Sequence, residues 1–213
     1  MRSLFSPDSK IYALLSRLAD LMLLNLAFIL TCLPIFPIGA ALTALYSVAF
    51  RMGTPEEGGT VREYFRAFKS NFRIGTVMWL ILLAIFVVCG VDLAIAGSSE
   101  GFLKDIRFVF WIVILVAMFV STYAFPLASR FDNKPLITLK NGLLLSIAYF
   151  PRSLVMLLVN LLPGIVLFIS LEVFVAVAWF FIALYFAFAA WLNCRILNKV
   201  IEPLLDTSSK AET

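Results

Sequence analysis

Histidine is absent from these 213 residues. Its absence removes the commonest general base and the commonest metal ligand together. Charge is scarce: 14% of residues are Asp, Glu, Lys or Arg, against about 25% in an average soluble domain. With 62% hydrophobic residues and a mean hydropathy of +1.01, there is too little polar surface to cover a soluble sphere, and disorder is excluded for the opposite reason. The net charge of +4 is dispersed between apolar runs, which argues against nucleic acid as a partner. Cysteine is limited to Cys32, Cys89 and Cys194. They are far apart with no CxxC spacing, so neither a zinc site nor a redox dithiol is expected, and all three read as apolar packing. No P-loop, GxSxG or HExxH sequence occurs. The expectation is a protein that is not an enzyme and has no catalytic residues, cofactor or metal.

What is present is long uncharged runs, and a helix needs roughly 20 apolar residues to cross about 30 Å of hydrocarbon. The sequence predicts an all-α polytopic membrane bundle with spans over about 14–33, 35–50, 74–96, 108–129, 153–171 and 173–194. The last two are separated by a tight turn near Glu172, with Pro163-Gly164 as a second candidate position. Pro34 and Pro37 divide the first charge-free run, because proline removes a donor and clashes with the preceding turn. Pro37 can also start a new helix. The run is therefore either one kinked span or two, the second short. Charge decides: two spans give six crossings with both termini inside, 15 Lys and Arg on the cytoplasmic side, and only Lys104 and Arg107 outside. That distribution obeys the positive-inside rule and predicts a multi-pass membrane protein, N-in and C-in. Residues 1–203 form one membrane domain, and 204–213 read as a flexible polar tail.

Two connections look helical without being spans. Over residues 60–72, Val61, Tyr64, Phe65, Phe68 and Phe72 share one helical face, with Arg62, Glu63, Arg66, Lys69 and Arg73 on the other. Thr60 and Glu63 have capping-box spacing. Aromatics opposite bases describe a helix in the headgroup plane. It either anchors the next span or offers a docking face made of Arg62, Arg66, Lys69 and Arg73 with Tyr64, Phe65, Phe68 and Phe72. Over residues 136–150 a second such helix carries the apolar stripe Leu136, Leu139, Leu143 and Ile147. An offset of 78 aligns Thr60 with Thr138, Phe72 with Phe150, Val77-Met78 with Val155-Met156 and Leu80 with Leu158, the pattern of a parallel internal repeat.

Polar groups at depth are the default place to look for a site. Arg17 and Asp20 are one turn apart and can pair near the inner interface. Asn25 and Asn160 are the deepest amides, serving either as interhelical glue worth on the order of 1 kcal/mol or as contacts along a solute path.

The stretch from Asn25 to Tyr46, with Thr31-Cys32-Leu33-Pro34-Ile35-Phe36-Pro37-Ile38-Gly39-Ala40 at its centre, resembles the signature of the YesL family. These are small bacterial integral membrane proteins classed as a domain of unknown function. Tyr64-Phe65-Arg66-Ala67-Phe68-Lys69-Ser70-Asn71-Phe72 and Trp79-Leu80 are similar to that family too, and the resemblance extends over about residues 5–200. It implies the company of carbohydrate-uptake ABC transporter subunits or a sensor kinase, and no functional residues. The reading is therefore an integral membrane protein whose partners are the lipid bilayer and one of those systems, acting as a non-catalytic accessory subunit. The alternative is a stand-alone small-solute transporter or channel. A six-crossing monomer leaves little room for a midplane cavity, so a transporter of this size would assemble as a homo-oligomer.

Overall fold

The computed structural model describes residues 10–52, 54, 59–97 and 102–211. Every regular element among them is helical: α1 (Lys10–Cys32), α2 (Ile38–Arg51), α3 (Thr60–Ser70), α4 (Phe72–Gly97), α5 (Phe102–Arg130), α6 (Pro135–Ala148), α7 (Phe150–Ile169) and α8. We use α8 for one long helix made of Leu171–Phe180, a π-helical turn Phe181–Tyr185, and Phe186–Ala211. Five segments are long and apolar enough to cross a membrane: Leu14–Cys32, Phe72–Ile95, Arg107–Arg130, Phe150–Ile169 and Leu171–Ile201. The chain is that of a multi-pass membrane protein.

The expected second span is not among these five. α2 has 14 residues, about 21 Å. Ten of its residues are buried: Gly39, Ala40, Ala41, Thr43, Ala44, Leu45, Tyr46, Ser47, Val48 and Ala49. Its small side chains let neighbouring backbones approach, as is usual where helices meet in lipid. A Cβ on Gly39 would lie 2.1 Å from the Gly75 carbonyl oxygen, and one on Gly75 would lie 2.7 Å from the Ala40 backbone. α2 is the central strut of the bundle.

Both ends of α2 lie at one end of the α4–α5 pair. The connection before it meets the first turns of α4: the Trp79 indole donates to the Ile35 carbonyl at 3.0 Å, and Phe36 meets Phe72 edge-on at 6.3 Å. At the other end of α2, Phe50 lies beneath the guanidinium of Arg130, the last residue of α5, at 4.9 Å. Antiparallel α4 and α5 bring Phe72 and Arg130 to the same end. α3 runs alongside α1, from Thr60, hydrogen-bonded to Asp20 at 2.8 Å, to Tyr64, whose hydroxyl meets Thr31 at 2.5 Å.

The offset of 78 recurs in three dimensions. α4 starts at Phe72 and α7 at Phe150, each preceded by a short helix folded back on its predecessor. Thr60 and Thr138, Gly75 and Ser153, and Met78 and Met156 are all buried. Phe72 and Phe150, Val77 and Val155, and Leu80 and Leu158 are all exposed.

Several local expectations change. α3 is preceded by Gly59 with no side-chain cap, because the Thr60 hydroxyl is spent on Asp20. The chain turns at Ser170, whose Oγ caps α8 by accepting from the Val173 N–H at 3.3 Å, two residues before Glu172. Pro163 lies inside α7. The segment 204–213 continues α8 as far as Ala211. In α6 the ends of the apolar stripe turn outward: Leu136 and Ile147 are 69% and 66% exposed and Leu139 and Leu143 half-buried, while Thr138, Gly142 and Ser146 are buried. Lipid is as apolar as leucine, so no hydrophobic force drives Leu inward, and small residues make the helix contact instead. Gly142 sits so close that a Cβ would lie 3.0 Å from the Val120 carbonyl oxygen.

Candidate functional site

Asn25, fully buried on α1, is committed to α8. Its Nδ2 donates to the carbonyls of Phe181 (3.1 Å) and Ile182 (2.6 Å), and its Oδ1 accepts from the Ala187 N–H at 2.9 Å. The carboxamide bridges Ile182 and Ala187, five residues apart, where the helix widens into its π-turn. A side chain inserted in the backbone ladder is a recognised cause of such irregularities. Of the two roles expected for Asn25, the geometry matches interhelical glue.

Asn160 on α7 is exposed and accepts from Asn193 Nδ2 at 2.7 Å. Asn193, fully buried on α8, also donates to the Tyr46 hydroxyl of α2 at 3.2 Å. Its own Oδ1 has no hydrogen-bond partner. Beside this cluster is a chamber of about 230 Å³ whose lining includes Tyr46, Asn160, Ser121, Trp79, Phe125 and Phe186, and no charged side chain. It lies where α2 and α4 of one repeat meet α5 and α7 of the other, with α1 and α8 closing it. Asn193 and Tyr46 were missed in the sequence. Asn193 carried the same signal as Asn25 and Asn160, an amide in an apolar run, but sat at the expected end of the last span.

The second candidate surface is α3. Its apolar face divides: Tyr64 is fully buried and Phe68 half-buried, while Phe65 is 47% exposed and Phe72, which opens α4 rather than ending α3, is 38% exposed. Burial pushes the Tyr64 phenol above its ordinary pKa, so it stays a neutral hydrogen-bonding group. Arg62, Arg66, Lys69 and Arg73 are all exposed. Arg17, half-buried, lies one turn before Asp20 on α1, and Asp20 meets Thr60 at the start of α3. The two sets of expected residues are thus not one site: Asp20 supports α3, whereas Asn25 and Asn160 serve α8.

Among the described residues, no group of three or more Cys, Asp or Glu is placed to hold a metal ion. No solved structure matches the chain. The family described as "Protein of unknown function, DUF624" matches residues 21–93, the part that includes Asn25–Tyr46 and Tyr64–Phe72. The protein named "Uncharacterized protein YteU" from Bacillus subtilis (strain 168) is 34% identical over 167 residues, covering 73% of this chain and 74% of that one. With that coverage on both sides, the chain belongs to the DUF624 family of proteins of unknown function.

Proposed function

We propose that the protein is a non-catalytic subunit of a bacterial cytoplasmic-membrane assembly and docks through the outer edge of α3. The observation that carries this reading is a row of cations held on a fixed helix. Arg62, Arg66 and Lys69 recur at helical spacing along α3, with Arg73 in the first turn of α4, and all four are exposed, while Thr60 and Tyr64 tie the opposite side of α3 to α1. Arg62, Arg66 and Lys69 make no ion pair among the described residues. A preorganised basic edge fits an acidic surface on a partner protein, and it loses little side-chain freedom when it binds. The YesL resemblance makes subunits of a carbohydrate-uptake or sensing system the first partners to test. Replacing Arg66 and Lys69 with Glu should abolish co-purification of the partner from native membranes while leaving insertion intact. Unchanged recovery would leave α3 as a simple anchor. The rival reading, a stand-alone transporter, is favoured only by the chamber, since Asn25 is spent on α8.

The same reading keeps both termini in the cytoplasm but treats α1–α2 as a re-entrant hairpin, with four crossings by α4, α5, α7 and α8. In support, the connection before α2 meets the first turns of α4 and the far end of α2 meets Arg130 at the last turn of α5, which puts both ends of α2 on one side. A re-entrant hairpin also keeps the 15-to-2 charge asymmetry. A membrane-impermeant maleimide added from outside should label Lys104→Cys and spare Leu33→Cys; labelling of both would restore the full crossing.

A further inference from the structure

We infer that the recess between α7 and α8, at the end away from their shared turn, is a binding site for an anionic phospholipid. The inference stands apart from the docking role of α3.

The recess has a volume of about 650 Å³, within the usual range of roughly 300–1,000 Å³ for small-molecule sites. Arg152 of α7 and Arg195 and Lys199 of α8 line it, and Val155, Leu192 and Ile196 supply apolar walls. On α8, Leu192, Arg195, Ile196 and Lys199 have the spacing of one helical face. The level suits a headgroup. Arg152 lies in the first turn of the apolar segment Phe150–Ile169, and Lys199 in the last turn of Leu171–Ile201, where hydrocarbon gives way to the polar interface.

The charge is set by what holds the two arginines. The Arg152 guanidinium donates to the Lys199 carbonyl at 3.4 Å and lies 5.6 Å from the Tyr149 ring. The Arg195 guanidinium sits 4.2 Å over the Trp191 ring. Backbone and rings place these groups without neutralising them, and neither makes an ion pair among the described residues. No acidic side chain lines the recess. Between Asp132 and Glu202 the sequence holds one acid, Glu172, at the turn end of both helices. Glu202 follows Lys199 by three positions, so the arginines carry the assignment. A guanidinium presents five N–H donors in a planar fork that fits phosphate, and basic recesses between spans hold anionic headgroups in this way. A zwitterionic lipid brings a cation of its own, which the arginines repel. Val155, exposed, and Leu192 and Ile196, half-buried, take the start of an acyl chain, which a soluble phosphate lacks.

The test is native mass spectrometry of the detergent-solubilised full chain, titrated with phosphatidylglycerol and phosphatidylcholine of identical acyl chains. A basic side chain near an anionic lipid is worth about fivefold in affinity. With two arginines, the first phosphatidylglycerol should bind about 25-fold more tightly than the first phosphatidylcholine. Arg152→Gln with Arg195→Gln should erase that preference, while Arg62→Gln with Arg66→Gln on α3 should leave it intact. Glycerol phosphate, the same group without chains, should not displace the lipid. Equal binding of the two lipids would overturn the assignment and leave the recess to an acidic protein surface. A preference that survives the α7–α8 double change, or is erased by the α3 pair, would overturn it too, and ready displacement by glycerol phosphate would point instead to a soluble ligand. Should the double variant fail to fold, Arg152→Gln alone should lower the preference about fivefold, and no decrease would count equally against the site.

Discussion

Replacing Asn25 with Leu keeps the volume of the side chain roughly constant and removes three hydrogen bonds at once. The carbonyls of Phe181 and Ile182 lose a donor and the Ala187 N–H loses its acceptor. Double-mutant cycles on interhelical hydrogen bonds in membranes average about 0.6 kcal/mol and reach about 1.7. Three such bonds make the expected loss about 2–5 kcal/mol, most of it as separation of α1 from α8. If Asn25 is what stabilises the π-turn, removing one residue from that turn should make the helix regular and leave Asn25 nothing to satisfy. Deletion of Ala183 alone should therefore destabilise, whereas the deletion combined with Asn25→Leu should be more stable than the sum of the two. The assay is reversible unfolding in mixed micelles by denaturing detergent, followed by circular dichroism. A neutral Asn25→Leu, or strict additivity in the cycle, would refute the coupling between that carboxamide and the π-turn.

Other positions test the packing. Gly75→Ala should destabilise by about 1–3 kcal/mol, the usual cost of overpacking, because its new methyl would meet the Ala40 backbone at 2.7 Å. Gly90→Ala has open space around it and should be neutral or slightly stabilising, since Ala is the better helix former; equal effects in thermal unfolding would disprove the close α2–α4 contact. Ile35, between two prolines, has φ 62°, a conformation that is strained for a β-branched residue. Ile35→Gly should therefore raise the unfolding temperature by the equivalent of about 1 kcal/mol, and a decrease would show that the side chain contributes more than its backbone strain costs. Thr60→Val should loosen α3 from α1 by removing the Asp20 contact, seen as faster hydrogen exchange over residues 60–70 with α7 unaffected.

The helices were readable from the sequence because runs without charge and proline breaks are one-dimensional signals. The starts of α4 and α7, and the repeat at 78 residues, follow from them. The side that each helix turns inward was not readable in the same way. Hydrophobic periodicity identifies an inward face only where water lies on the other side. Lipid reverses it, which is why Leu136 and Ile147 of α6 face outward and Gly142 inward. α2 was harder to read: the charge distribution suggests a short crossing, while its alanines, glycine and threonine mark a strut buried among helices. Asn25 announced itself as a buried amide, yet its partners are backbone groups some 156–162 positions away, and no local pattern points to them. The basic row on α3 was legible; that Tyr64 rather than Phe65 is its buried anchor depended on the Thr31 contact.

Site-specific photo-crosslinking from Arg66 in native membranes tests the docking role most directly. The account predicts one dominant adduct with a second protein, lost when Lys69 is replaced by Glu. Adducts with lipid alone, unaffected by Lys69→Glu, would contradict it.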